Sequence, residues 1–174
     1  MTNDNVLIEE ARAEDAEAII NLMNQVAQET SFISEVEVFK KASLEQLQFL
    51  LASQTESVLE LCLVVKVNQK LIGLLNISNS QLEETAHIGD LFIIVSEAYQ
   101  GYGLGQDLIE LALDWIREMG LLKKIELQVQ VRNQKAIHIY EKFGFRIEGK
   151  RKLAVKTKDG EFQDVYLMGK ILED

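Results

Sequence analysis

A short apolar run, a loop with alternating glycines and a long amphipathic stretch follow one another between Leu91 and Met119. Leu91-Phe92-Ile93-Ile94-Val95 is apolar and rich in β-branched residues, so it reads as a buried strand. Past the loop, Leu104, Leu108, Leu111, Ala112, Trp115, Ile116 and Met119 recur at helical period and form one apolar stripe. A strand that hands over directly to an amphipathic helix commits the chain to a sheet with helices laid on its faces. The connection itself, Gln100-Gly101-Tyr102-Gly103-Leu104-Gly105-Gln106, adds a chemical constraint. Glycine lets backbone N–H groups turn toward a ligand without interference from a Cβ. A helix start contributes unpaired donors and a partial positive charge. Together these features make a place for an anion such as a phosphate.

Known phosphate-loop patterns divide the alternatives. The dinucleotide pattern G-x-G-x-x-G is not met, because Gln106 or Leu108 stands where its last glycine belongs. Glu126 does follow at a distance suited to a ribose hydroxyl, which keeps a nicotinamide-dinucleotide protein as a rival reading. The Walker pattern fails, since no Gly-Lys-Ser/Thr follows the loop. The pattern that does fit is Gln/Arg-x-x-Gly-x-Gly/Ala, from Gln100 to Gly105. A second motif lies downstream: Asn133, Ala136, Tyr140 and Gly144-Phe145, followed by Glu148-Gly149. Physically, Asn133 is a good N-cap and Gly144 suits the position that ends the helix. Ala136, Ile139, Tyr140 and Phe143 then share one face, where Tyr140 reads as a core aromatic.

The two motifs together resemble the signatures of the GCN5-related N-acetyltransferase (GNAT) family. The closing run, with Asp159-Gly160 and Asp164-Val165-Tyr166-Leu167-Met168, looks most like its polyamine and ribosomal-protein N-terminal acetyltransferases. The resemblance runs from about His87 to Leu172, and one departure is Glu97-Ala98 where a proline is usual before the loop. It implies acetyl-coenzyme A as cosubstrate, no metal, and direct transfer to a primary amine on a small polyamine-like molecule or a protein N-terminus. The alternative is a non-catalytic CoA-binding regulatory module on the same fold. By this resemblance Gln100, Gly101, Tyr102, Gly103, Leu104, Gly105 and Gln106 cradle the pyrophosphate. The strand Ile93-Ile94-Val95 offers backbone N–H to the acetyl carbonyl and pairs with the pantetheine arm. Asn133 and Ala136 contact the coenzyme. Tyr140 touches it and gives a proton to the departing thiolate, a role that suits a phenol with a reference pKa of about 10. Asp90 is the candidate base, through a water or by attracting the cationic amine. His87 is the runner-up base, against a reading as a surface histidine at a strand end. Glu35, Glu37 and Asp164 are candidates to line an acceptor pocket.

Composition sets outer bounds. The chain has 174 residues, which suits a single N-acetyltransferase domain over 1–174. A net charge of −10 disfavours nucleic acid, which needs a basic footprint, and favours a cationic acceptor. No apolar stretch approaches the ~18 residues of a membrane span, and Met1 to Asn5 lacks a basic leader, so the expectation is a cytoplasmic protein without membrane contact. Cys62 is the only cysteine and reads as a small hydrophobe in a strand; His87 and His138 are the only histidines, too few for a zinc site. Family analogy implies a homodimer.

The remaining chain yields an element order. A strand over 6–11 precedes a helix over 16–28 with Asp15 as its cap. Residues 30–41 read as a loop or partial helix. Ser43-Leu44-Glu45-Gln46 matches a capping box before a helix to about Ala52. Strands over 58–67 and 71–78 flank Asn68-Gln69 as a hairpin, and Asp159-Gly160 marks another. The order β-α-α-β-β-β-α-β-α-β-β predicts a GNAT-type α/β (α+β) fold: a mixed, mostly antiparallel sheet of about seven strands flanked by about four helices.

Overall fold

The computed structural model describes residues 4–33, 41–80 and 82–172. Its strands are β1 (Val6–Glu10), β2 (Leu61–Val67), β3 (Lys70–Asn79), β4 (Ile88–Val95), β5 (Lys124–Gln130), β6 (Arg146–Lys156) and β7 (Phe162–Ile171). The helices among the described residues are α1 (Ala16–Glu29), α2 (Leu44–Thr55), α3 (Leu104–Met119) and α4 (Gln134–Lys142). The seven strands form one sheet in the order β1-β2-β3-β4-β5-β7-β6, antiparallel except where β4 meets β5. The predicted mixed sheet and helix number are therefore observed.

Alternation along the strands divides the apolar residues between two cores. Ile72, Leu75, Ile77 and Leu91 pack with the α3 stripe of Leu104, Leu108, Ile109, Ala112 and Ile116, joined by Ile137 and Phe145. On the other face Val64, Leu71, Leu74 and Ile94 pack with Ile19, Leu22, Met23 and Val26 of α1 and Leu47 and Leu51 of α2. Local rules explain most boundaries. The Ser43 hydroxyl oxygen accepts the Gln46 N–H at 3.1 Å, and the Gln46 side chain accepts the Ser43 N–H at 2.8 Å, a complete capping box. Asn68 and Gln69 take φ of 49° and 69°, the left-handed pair that a two-residue hairpin requires.

Two expectations are corrected. β2 begins at Leu61 rather than Val58, because the Ser57 hydroxyl oxygen accepts the N–H groups of both Leu59 and Glu60 at 3.1 Å and curls the backbone away from a ladder. Asp15 stands at the start of α1 but does not cap it. Its carboxylate accepts the Arg12 N–H at 2.8 Å and pairs with Lys66 at 2.9 Å, and Lys66 also holds Glu9. A buried carboxylate needs a charged partner more than a helix end needs a cap. Cys62 is buried as expected; burial first, then Asp15 and Glu10, push its thiol up to about 12, which keeps it unreactive.

The feature that positions the site is a split in the sheet. β4 and β5 pair in parallel only from Ile88–Lys124 through Asp90–Glu126, and then diverge. Gly89 makes that junction tight: a Cβ there meets Ile125 Cδ1 and Ile77 Cγ2 at 2.9 Å.

Candidate active site

Beyond Asp90, no strand of the described residues lies beside the inner edge of β4. The Ser96 N–H donates to the Ile72 carbonyl at 2.9 Å, so strand alternation turns the N–H of Ile94 toward β3 as well. The N–H groups of Ile93 and Val95 point the other way, into the split. The same alternation brings the His87 carbonyl to the N–H groups of Lys123 and Lys124 at 2.8 and 3.2 Å on the β5 side. Ile94 turns its side chain into the α1–α2 core, so of the expected trio only Ile93 and Val95 offer donors. The split opens as a cleft of about 380 Å³. Leu91 to Val95 form one wall and Gln128, Val129 and Gln130 the other. The glycine loop, Asn133, Lys135, Ala136 and Tyr140 close it on the α3–α4 side, and Val26, Thr30, Phe32 and Ile33 on the α1 side.

The loop at the mouth has the shape its composition implies. Gly101 and Gly103 take φ of 85° and 82°, and a Cβ at either meets nothing within 4 Å. Glycine is required there by torsion, and the space a side chain would take is open. Gly103 is the N-cap of α3 and no side chain caps the helix. The first helical bond runs from the Asp107 N–H to the Gly103 carbonyl at 3.0 Å, so the N–H groups of Leu104, Gly105 and Gln106 precede it. Gly105 differs: its φ is ordinary, and a Cβ there stands 3.8 Å from Ile93 Cδ1, an ordinary contact. Open space, helix-start donors and Lys135 on the lining suit a diphosphate. Lys142 adds a cation beside the loop by donating to Gln106 Oε1 at 2.9 Å. The Gln100 side chain turns back to donate to the Val95 carbonyl at 3.0 Å and pins the loop to the end of β4. Tyr102 is exposed and lies off the lining.

The second motif builds the adjoining wall. The Asn133 side chain accepts the Ala136 N–H at 3.3 Å and starts α4. Gly144 ends it at φ 87°. Phe145 is buried and meets the Tyr140 ring edge-on at 5.9 Å between centroids. Tyr140 is half-buried: it packs against the α3-side core and also lines the cleft.

Acidic groups gather at the closed end of the split. Asp90, Glu126, Gln128 and Glu148 line a second, smaller cavity of about 120 Å³. Glu148 bulges from β6, where the register with β7 shifts. Lys124 bonds Glu126 at 2.6 Å and Glu148 at 2.8 Å, and these bonds raise its pKa above the ordinary lysine value. Burial first, and repulsion from Glu126 second, raise the Asp90 carboxyl above the usual carboxylate range. His87 precedes β4 and is exposed; neither cavity includes it. Asp164 accepts the Leu153 N–H at 2.9 Å and pairs with Lys150 at 3.3 Å, off both linings. Glu35 and Glu37 lie outside the described residues. Glu126 sits at the closed end, about 16 Å of strand from the glycine loop, so the rival dinucleotide reading loses its ribose partner. Gln130 and Arg132 carry no motif of their own, and Glu148 belongs to the second motif without a role there. The polar alternation Glu126-Gln128-Gln130-Arg132 along an otherwise apolar strand is the signal that marks this wall. Among the described residues no group of three His, Cys, Asp or Glu side chains is arranged to hold a metal, and no helix is long and apolar enough to cross a membrane.

Comparison with known proteins gives a consistent picture. The family model described as "Acetyltransferase (GNAT) family" matches residues 23–145. The L-amino acid N-acetyltransferase AaaT of Escherichia coli (strain K12) is 32% identical over 113 residues, 63% of this chain and 67% of that protein. Spermidine N(1)-acetyltransferase of the same organism is 42% identical over 72 residues, 40% of this chain and 39% of that protein, so the match spans well under half of that relative. The crystal structure of a GNAT-family acetyltransferase from Streptococcus pneumoniae superposes with a TM-score of 0.91 at 38% identity, covering 97% of this chain and 100% of that one.

Proposed function

The chain belongs to the GNAT acetyltransferase family, and from that premise we propose that it carries the acetyl group of acetyl-coenzyme A to the primary amine of a small cationic acceptor. The observation that carries this reading is the split between β4 and β5, with a glycine loop and bare helix start at its mouth and Tyr140 on its wall. Acetyl-coenzyme A supplies an activated thioester when bound. The N–H groups from Gly101 to Gln106 hold its diphosphate, and those of Ile93 and Val95 orient its amide arm and polarise the acetyl carbonyl. The Tyr140 hydroxyl holds the proton destined for sulfur. Asn133 and Ala136 shape the wall beside it.

The acceptor reading rests on charge. Asp90, Glu126 and Glu148 outnumber Lys124 where the split closes, on the α1 face of the sheet. They draw an ammonium group toward the reacting end, and the raised Asp90 carboxyl is a stronger base than an ordinary one. The acetyltransferases named above for spermidine and for amino acids are consistent with small amines. An amine screen read by free thiol release tests the proposal. Release with linear di- and polyamines, and its loss in Tyr140→Phe with coenzyme affinity kept, is the expected result. Tight coenzyme binding with no thiol release on any amine overturns it in favour of a non-catalytic module.

A further inference from the structure

The end of α1 and residues 30–33 after it border the open end of the split and are tied to both arms. Glu29 Oε2 accepts the Glu97 N–H at 2.8 Å, just past the end of β4. Ser31 is held from the end of β5. Its carbonyl accepts Gln130 Nε2 at 2.9 Å and Arg132 Nη2 at 3.1 Å, and its hydroxyl oxygen accepts Arg132 Nη2 at 2.8 Å. Gln130 is 2% exposed, and its Oε1 accepts Arg132 Nε at 2.8 Å. A buried amide is costly unless both ends are bonded, and here both ends serve the tie. The Arg132 guanidinium then lies 5.0 Å over the centroid of Phe32. Thr30, Phe32 and Ile33 line the cleft, and Ile33 packs on the α1 core, so this strap walls the cleft on the face opposite α3. Lys158, from the β6–β7 turn, donates to the Ala27 carbonyl at 2.9 Å and steadies the helix end from which the strap leaves.

We propose that Arg132 is a positioning residue: through Ser31 and Phe32 it holds the aromatic wall of the acceptor entrance, with Glu29 as the matching anchor on the β4 arm. The inference rests on the acetyl-transfer reading above for its substrate, but not for the strap itself. A planar fork that bonds two atoms of one residue and stacks on the next fixes a loop that a single contact leaves free to swing. With the strap in place Phe32 and Ile33 hold the cleft wall on the α1 side. With either anchor cut, the same segment is released.

The test compares wild type with Arg132→Ala, Glu29→Ala, the double variant, Arg132→Lys and Ser31→Ala. Arg132→Ala is expected to raise the acceptor KM about tenfold, the size of one lost charge-assisted bond, while acetyl-coenzyme A affinity moves by less than about twofold. Arg132→Lys recovers part of the effect on the acceptor KM. The double variant resembles the worse single variant rather than the product of the two, because both cuts free one segment. Amide exchange at Phe32 and Ile33 speeds up about tenfold in Arg132→Ala with the core unchanged, a readout that needs no turnover. If Arg132→Ala fails to fold, Ser31→Ala removes one bond of the tie and should show the same signs at smaller size. Unchanged exchange, or an acceptor KM that stays at the wild-type value in an active enzyme, overturns the strap. A wild type with protected strap amides and no thiol release on any amine overturns the acetyl-transfer reading instead.

Discussion

Substituting alanine at two glycines of one loop should produce opposite signs. Gly103 sits at φ 82° and ψ 1°, and an added Cβ touches nothing within 4 Å. The whole cost of Gly103→Ala in the free protein is therefore torsional, about 1–2 kcal/mol for an L-residue held in the left-handed region. For a chain of this length that lowers the melting temperature by about 2–8 °C. On the diphosphate reading, the new methyl also competes with the phosphate for the open space at the α3 start. Losing one hydrogen bond to a charged phosphate costs about 1.5–3 kcal/mol, a ~10- to 100-fold weaker Kd for acetyl-coenzyme A. Gly105 has ordinary φ and room for a Cβ at 3.8 Å from Ile93 Cδ1. Gly105→Ala gains helix propensity, up to about 1 kcal/mol, and should melt at or above wild type with affinity within about threefold. Melting curves and calorimetric titrations on the pair decide the matter. A Gly103→Ala protein as stable and as tightly binding as wild type refutes the reasoning, and so does a Gly105→Ala protein that loses both.

Tyr140→Phe should lower kcat by about 100-fold or more, the range of a lost general acid, while calorimetry shows unchanged coenzyme affinity. Asp90→Asn tests the acidic end through pH. The folded-state pKa of Asp90 is raised, so its ionised form is the costly one, and that cost grows as pH climbs above the usual carboxylate range. The asparagine variant should be the more stable protein at neutral pH, lose the advantage in acid, and show a lower kcat/KM for cationic amines; denaturant titrations at both pH values and steady-state kinetics check this. Gly89→Ala forces a methyl to within 2.9 Å of two packed isoleucines where β4 meets β5. It should cost about 1–3 kcal/mol by chemical denaturation, with any surviving fold showing reduced turnover.

The parts of this structure legible in sequence are those governed by neighbours along the chain. The Ser43 box, the Asn68-Gln69 hairpin and the glycine torsions depend on a few adjacent residues, and each appears where pattern placed it; the α3 stripe is rotated from its expected line, with Leu111 exposed and Ile109 and Leu113 buried instead. Asp15 shows how such rules yield: the capping signal is present, but Lys66, on a distant strand, claims the carboxylate. Gln100 belongs to the loop motif, yet its side chain faces inward to Val95 instead of outward to a ligand. The split sheet has no local signature at all, because it follows from which strands end beside which. The acidic end gathers Asp90 from β4, Glu126 from β5 and Glu148 from a β6 bulge, a meeting that only the strand order creates. Arg132 stands beside the Asn133 cap in sequence, but its partner Ser31 is 101 positions away.

The central claim is that main-chain amides at the β4–α3 corner grip a diphosphate. Titration of isotopically labelled protein with coenzyme A, followed by amide resonances, reads those groups one by one. Saturable shifts concentrated on Gly101, Gly103, Leu104, Gly105 and Gln106, with the Ile93 and Val95 amides moving in step, are the predicted result. Coenzyme that binds while those amides stay still contradicts the account.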